Sequence, residues 1–150
     1  MEAKEFLQGI KASRWKIEAL TVDGDDMAAM LAWSEKRYPK SKYLHMMKSE
    51  ITGINNDLMQ VKAERARRVE FLQCVPGLSD TFRRLLILHY VDELTLAAAA
   101  ERLFYSADYG QRLHRKAVAA LDMLMSFYQA APIRRQPCRI NRPAAAKTAE

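Results

Sequence analysis

The sequence predicts an all-α protein, built as an N-terminal coiled-coil helical hairpin followed by a helix-turn-helix domain. Three observations carry the prediction. Within residues 1–75, apolar side chains return every three or four residues in two separate runs, the spacing that keeps one face of a helix apolar. Residues 96–103 and 107–124 hold two further helical patterns on either side of the short link Phe104-Tyr105-Ser106. No sheet platform of the kind that stacks single-stranded bases is visible.

Along the chain, the first run is Ala3, Phe6, Ile10, Ser13, Ile17 and Leu20, and the second is Leu44, Met47, Ile51, Ile54, Leu58 and Val61. Both have the a/d seam of a coiled coil. Neither seam is long, so each helix needs a partner. Either the first folds back on the second as an antiparallel hairpin, or the second pairs with its own copy in a dimer, and both fit together in a four-helix arrangement. Residues 21–42 read as the connecting loop, because they hold Gly24, the acidic Asp23, Asp25, Asp26 and Glu35, and Pro39, with a short helix over 27–35 inside it.

Trp33, Tyr38 and Tyr43 alternate in that region with Lys36, Arg37, Lys40 and Lys42. Such a mixture stacks on nucleic-acid bases in some proteins; here it is expected to pack the loop onto its own stalk. The charged end of the second helix, from Lys62 through Arg65, Arg67 and Arg68, reads as a solvated helix face, with contact to DNA or to an acidic patch of a partner protein as the other reading. The break Val75-Pro76-Gly77, with Ser79 placed to cap the next helix, is expected to form a modest hinge. It divides an oligomerisation region, 1–75, from a DNA-binding domain, 76–131.

In that second part, Thr95 and Ser106 each precede an apolar-periodic stretch, where a side-chain oxygen accepts from an otherwise unpaired backbone N–H. The run Ala97 to Ala100 has high helix propensity and little bulk, so another helix can approach its backbone closely. Gly110, Leu113, Ala117, Leu121 and Leu124 form an inward stripe on the following helix. Asp108, Tyr109, Gln111, Arg112, Arg115 and Lys116 then face outward, with the reach and donors to meet phosphates or base edges, and with the capping hydroxyls Thr95 and Ser106 they make up the candidate DNA-binding residues.

This pattern resembles the region-four helix-turn-helix of bacterial RNA polymerase sigma factors. Thr95, Leu96, Ala99, Ala100, Leu103, Ser106, Gly110, Leu113, Ala117 and Leu121 stand at the places of that family's Thr-Leu start, Ile-Ala pair, Leu, Ser cap and Val, Ile, Ala, Leu stripe, and the preceding run Leu85 to Val91 looks like its first packing helix. The match covers roughly residues 78–124. Ala99 and Gly110 are smaller than the residues usual at those positions, so the second helix is expected to be loosely held unless Phe104 and Tyr109 fill the space. A region-four-like module behind a coiled coil is similar to the small phage transcriptional regulators of the RinA and ArpU type. That resemblance implies duplex DNA as ligand and bacterial RNA polymerase as a partner.

The net charge of +6 is unevenly spread: residues 1–75 sum to +2, residues 76–131 to zero, and residues 132–150 to +4. Attraction to DNA therefore depends on local placement. Beyond the outward face, candidate phosphate contacts are Arg83 and Arg84, together with Arg134, Arg135, Arg139 and Arg142 of a tail that starts at Pro132 and reads as disordered. The tail is either a basic arm along the phosphate backbone or a solubilising terminus.

Other classes find little support. There is no Gly-rich phosphate loop, HExxH or GxSxG, so no enzymatic activity and no cofactor are expected. Cys74 and Cys138 are far apart with no CxxC pair or zinc-type His spacing, and they read as structural or incidental thiols with no metal site. His45, His89 and His114 are scattered, and His114 is either a phosphate contact or an ordinary packed or exposed histidine. No stretch reaches the roughly 18 apolar residues of a membrane span, and residues 1–20 are charged throughout, so the cytoplasm of a bacterial host is the expected setting. The expected function is a sequence-specific, DNA-binding transcriptional regulator, homodimeric through its N-terminal helices. The alternative is a DNA-packaging protein of the small-terminase kind, or an adaptor, built on the same unit.

Overall fold

The computed structural model describes residues 2–130, and every regular element among them is helical. Two long helices come first, α1 (Ala3–Arg37) and α2 (Tyr43–Cys74). Three shorter segments follow: α3 (Asp80–Leu86), running into a π-helical turn (Ile87–Val91), then α4 (Leu96–Arg102); α5 (Ala107–Ala130) closes the order. Residues 132–150, with Arg134, Arg135, Arg139, Arg142 and Cys138, lie outside the described residues.

The loop expected over residues 21–42 is not there. α1 runs unbroken through Asp23, Gly24, Asp25 and Asp26 for 35 residues, about 52 Å at helical rise. The physical reason is that apolar spacing continues beneath the acidic run: Ile17, Leu20, Gly24, Met27, Leu31 and Ser34 are all half-buried, while the carboxylates point to water. One interior glycine costs only about 1 kcal/mol, less than a continuous packed face returns. The true connection is residues 38–42, and α1 stops where Pro39 removes an N–H donor.

α1 and α2 lie antiparallel. Near the connection, Lys48 pairs with Glu35 at 3.1 Å; midway, a Cβ on Gly24 would sit 3.5 Å from Ile54 Cγ2; at the far end Arg68 donates to the Phe6 carbonyl at 3.3 Å. The six positions Leu44, Met47, Ile51, Ile54, Leu58 and Val61 are each half-buried along this contact. Trp33, Tyr38 and Tyr43, expected to pack inward, are instead 58%, 56% and 71% exposed. Trp33 meets Tyr38 edge-on and has the Arg37 guanidinium over its face.

The core lies at the other end of the pair. Ala3, Phe6, Leu7 and Ile10 of α1 are buried with Leu72, Val75, Leu78, Leu86, Tyr90, Ala117, Leu121 and Met125 in one cluster. A smaller cluster joins Leu85, Ala99 and Leu113. The main cluster crosses Val75-Pro76-Gly77, so the expected hinge does not exist as a free joint: Val75 and Leu78 are anchored on either side of it. Asp122 of α5 even accepts from the Ala3 N–H at 2.9 Å, capping the start of α1 from another helix where Glu2 supplies no side-chain cap.

Two arginines expected at the surface hold this junction. Arg65 donates to the Ile10 carbonyl, to Ser13 Oγ at 3.1 Å and to the Val91 carbonyl at 3.4 Å, tying α2 to α1 and to the π-helical turn. Arg83 donates to the Gln73 carbonyl, to Val75 O at 2.8 Å and to Leu78 O at 3.3 Å, closing the carbonyl end of α2. A guanidinium has five donors in a rigid fork, which suits it to such multiple carbonyl contacts. Among the described residues, no helix is long and apolar enough to cross a membrane.

Candidate nucleic-acid interface

The surface of interest is built by α4, a tight turn and α5. Thr95 Oγ1 accepts from Ala98 N at 3.2 Å and starts α4; Ser106 Oγ accepts from Tyr109 N at 3.3 Å and starts α5. Both hydroxyls therefore work as the caps their positions predict, and each keeps its own O–H to donate. Ser79 Oγ caps α3 in the same way, from Phe82 N at 3.3 Å.

α4 ends in a Schellman turn: Phe104 N donates to the Glu101 carbonyl at 3.0 Å and Tyr105 N to the Ala100 carbonyl at 2.9 Å. The residue at the left-handed position is usually glycine, because a Cβ costs about 1–2 kcal/mol there. Here it is Phe104, with φ of 62° and a side chain 95% exposed. It therefore does not fill the space beside Gly110, and neither does Tyr109, 43% exposed and set against Tyr105 at 4.9 Å between ring centroids.

No space needs filling. A Cβ on Gly110 would lie 2.5 Å from Ala100 Cβ and 3.5 Å from the Leu96 carbonyl. The two small residues let α4 and α5 approach backbone to backbone, and the expectation of a loosely held second helix is overturned by that contact. Leu113 joins the Leu85–Ala99 cluster, Ala117 and Leu121 enter the main core, and Leu124 packs against it, so the predicted inward stripe faces in.

What remains faces water. Asp108, Tyr109, Gln111, Arg112, Arg115 and Lys116 are all exposed, beside the exposed Arg102. Among the described residues, none of Arg112, Arg115 and Lys116 is in an ion pair. Their charges are available to an incoming anion, and the N-terminal end of α5 adds its own positive dipole. Of the other candidates, Arg84 is exposed on α3, while Arg83 is committed to the three carbonyls above and is not available to a phosphate.

Behind this face, His114 is held inside a ring cluster. Tyr90 Oη and His114 Nε2 are hydrogen-bonded at 2.8 Å, the two rings stack, and His89 meets both edge-on while its Nδ1 lies 2.7 Å from the Leu94 carbonyl. Burial first, and then charge on His89, push the His114 pKa below its ordinary 6.5. The folded chain thus favours neutral imidazole, and the unfolded chain takes up the proton first as pH drops. The stability from this site is complete above 6.5 and is lost as pH falls through the lowered value. Urea unfolding midpoints are expected to decline as the pH falls from 6.5 through the lowered value, and the decline is expected to flatten in His114→Gln. An undiminished decline in that variant would assign it to other groups.

Sequence reasoning missed Phe104 as a surface feature; the signal was an aromatic standing where a helix end calls for glycine. No protein-family model, no curated protein and no solved structure matches this chain. Its class rests on its own geometry: an all-α protein whose long antiparallel helix pair shares a core with a small unit of three shorter segments and α5.

Proposed function

We propose that the protein is a sequence-specific, duplex-DNA-binding transcriptional regulator whose α4–turn–α5 segment is a sigma-region-four-like helix-turn-helix, with α5 as the reading helix. The observation that carries this reading is the division of α5: a stripe pressed onto α4 and the core, and opposite it six exposed polar or aromatic side chains with unpaired cations at the capped end. A helix presented that way fits the major groove, where arginine pairs with guanine O6 and N7. The resemblance noted in the sequence extends the reading to a phage or prophage regulator acting on or with the host RNA polymerase. Self-association through the N-terminal helices makes the active form a homodimer, letting two modest contacts add.

Selection from a random-duplex library at near-physiological salt is expected to enrich one short motif. On that motif, Arg112→Ala and Arg115→Ala are each expected to cost about 1–3 kcal/mol, roughly 5- to 150-fold in affinity, with helicity unchanged. Unaltered affinity in both variants would sink the assignment of the reading face.

A second reading draws on the aromatic tip. Phe104, Tyr105 and Tyr109 crowd the turn beside α5, residues of the kind enriched in protein interfaces, and residues 76–131 carry no net charge. A packaging component of the small-terminase kind, or an adaptor, would show no enriched motif and would assemble as a ring.

A further inference from the structure

α1 carries two apolar stripes, and the fold uses one. The inner stripe packs on α2. The outer one is Ala12, Trp15, Ala19, Val22, Asp26, Ala29 and Trp33, apolar at every position but Asp26 and spaced alternately three and four residues apart over three heptads. Every member is exposed, with Trp15 at 65%, Val22 at 57% and Trp33 at 58%. These are the only two tryptophans in the chain. The corresponding outer face of α2, Ser49, Gly53, Asn56, Gln60, Ala63 and Arg67, is polar or small. Scattered exposed apolar residues are ordinary, but six of them at heptad spacing, with a tryptophan near each end, are the pattern of a helix waiting for another helix.

We infer that this outer stripe is the self-association face, and that it pairs antiparallel with the same stripe of a second copy about Gly24. The inference deepens the homodimer proposed above and is independent of DNA binding. The choice of occupant comes from symmetry. Trp15 and Trp33 each lie nine residues from Gly24, Ala19 and Ala29 five, Val22 and Asp26 two. A two-fold axis there sets Trp15 against the partner subunit's Trp33 and Ala19 against the partner subunit's Ala29, the a-to-d′ matching that antiparallel coils need. The alanine layers let the two α1 backbones come close while the tryptophans close over the ends.

Charge selects the same direction. A parallel pair would stack Asp26 on its copy and flank it with Glu18 beside the partner subunit's Asp23 and Lys11 beside the partner subunit's Lys16. The antiparallel pair sets Lys16 beside the partner subunit's Met30 and Glu18 beside the partner subunit's Ala32 instead. Like charges then meet only at the axis, where Asp23 and Asp25 approach their copies. Four exposed tryptophans supply several hundred Å² at about 150–250 Å² each when fully buried, so that with the rest of the stripe the interface lies at or below the low end of the ~1,200–2,000 Å² of stable pairs. A micromolar dimer that tightens with added salt follows, since salt screens the central carboxylates. The two α3–α5 units would sit at opposite ends of a rod.

The full chain is to be followed by sedimentation equilibrium and by tryptophan emission over a dilution series. A monomer–dimer equilibrium is expected, with emission shifting to the blue as dimer forms, because both reporters lie in the stripe. The Trp15→Ala, Trp33→Ala double variant is expected to weaken the dimer at least tenfold with unchanged helicity, and Asp26→Ala to tighten it several-fold. A photo-crosslinking residue at position 19 is expected to capture the second copy around Ala29. A wild-type monomer at high micromolar concentration overturns both the homodimer and this face. A dimer that survives the double variant with an unchanged dissociation constant overturns the face alone, and capture around Ala19 of the second copy overturns the antiparallel direction.

Discussion

Valine at position 110 is expected to cost about 3 kcal/mol or more, a large share of the 5–15 kcal/mol that holds an ordinary domain together. Two effects compete at this residue. Helix propensity favours any Cβ over glycine by about 1 kcal/mol. Sterics oppose it, since even the first carbon would lie 2.5 Å from Ala100 Cβ and 3.8 Å from Ala100 Cα. Neither neighbouring atom is the end of a flexible chain; both belong to the framework of α4, which Thr95 caps and Leu85 and Leu113 anchor. Sterics therefore win, and Gly110→Ala is expected to lower stability despite its better propensity. The decisive comparison is a double-mutant cycle by urea denaturation. Ala100→Gly removes the obstructing carbon, so it should harm the wild type and rescue Gly110→Ala. A Gly110→Ala chain more stable than wild type would mean that the two helices do not approach as closely as described.

Truncating Leu7 to alanine is expected to cost about 3–5 kcal/mol, the range for a fully enclosed leucine whose neighbours cannot collapse into the gap. Leu7 is 0% exposed and sits in the cluster that joins the start of α1 to Leu72, Leu86, Ala117 and Leu121. The informative part is where the loss is felt. With one core spanning the Val75-Pro76-Gly77 break, the loss should appear as a single cooperative transition, and amide exchange should speed up in α5 as well as in α1. Exchange in α5 that stays at its wild-type rate would restore the view of two separately folding parts. Arg65 and Asp122 reinforce the first outcome, because each bonds across helices that the break was expected to decouple.

Much of the candidate site is legible in the sequence alone. The caps Ser79, Thr95 and Ser106, the inward stripe from Gly110 to Leu124, and the exposed face from Asp108 to Lys116 all stand where the spacing put them. Arg83 was misplaced, and so was the meaning of Gly110. A lone arginine on a short helix reads as a solvent-facing charge unless the carbonyl end of another helix is known to lie within reach, and that neighbour is ten residues away in sequence. The stalk shows the same limit from the other side. Glycine and clustered aspartates are good local signs of a loop, yet the aspartates lie on the outer half of the helix and Gly24 sits within an inner face that stays periodic.

The sequence by itself determined the all-helical class, the starts of three helices and the two faces of α5, because capping and amphipathic spacing are settled within one or two turns of chain. Tertiary structure decided the continuity of α1 across residues 21–37, the shared core beneath Val75-Pro76-Gly77, the carbonyl-bound arginines, and the fit of Gly110 on Ala100. Each of these depends on which surface from elsewhere in the chain arrives opposite. A glycine is a weakness or a requirement, and an arginine a free charge or a bolt, according to what faces it at under 4 Å.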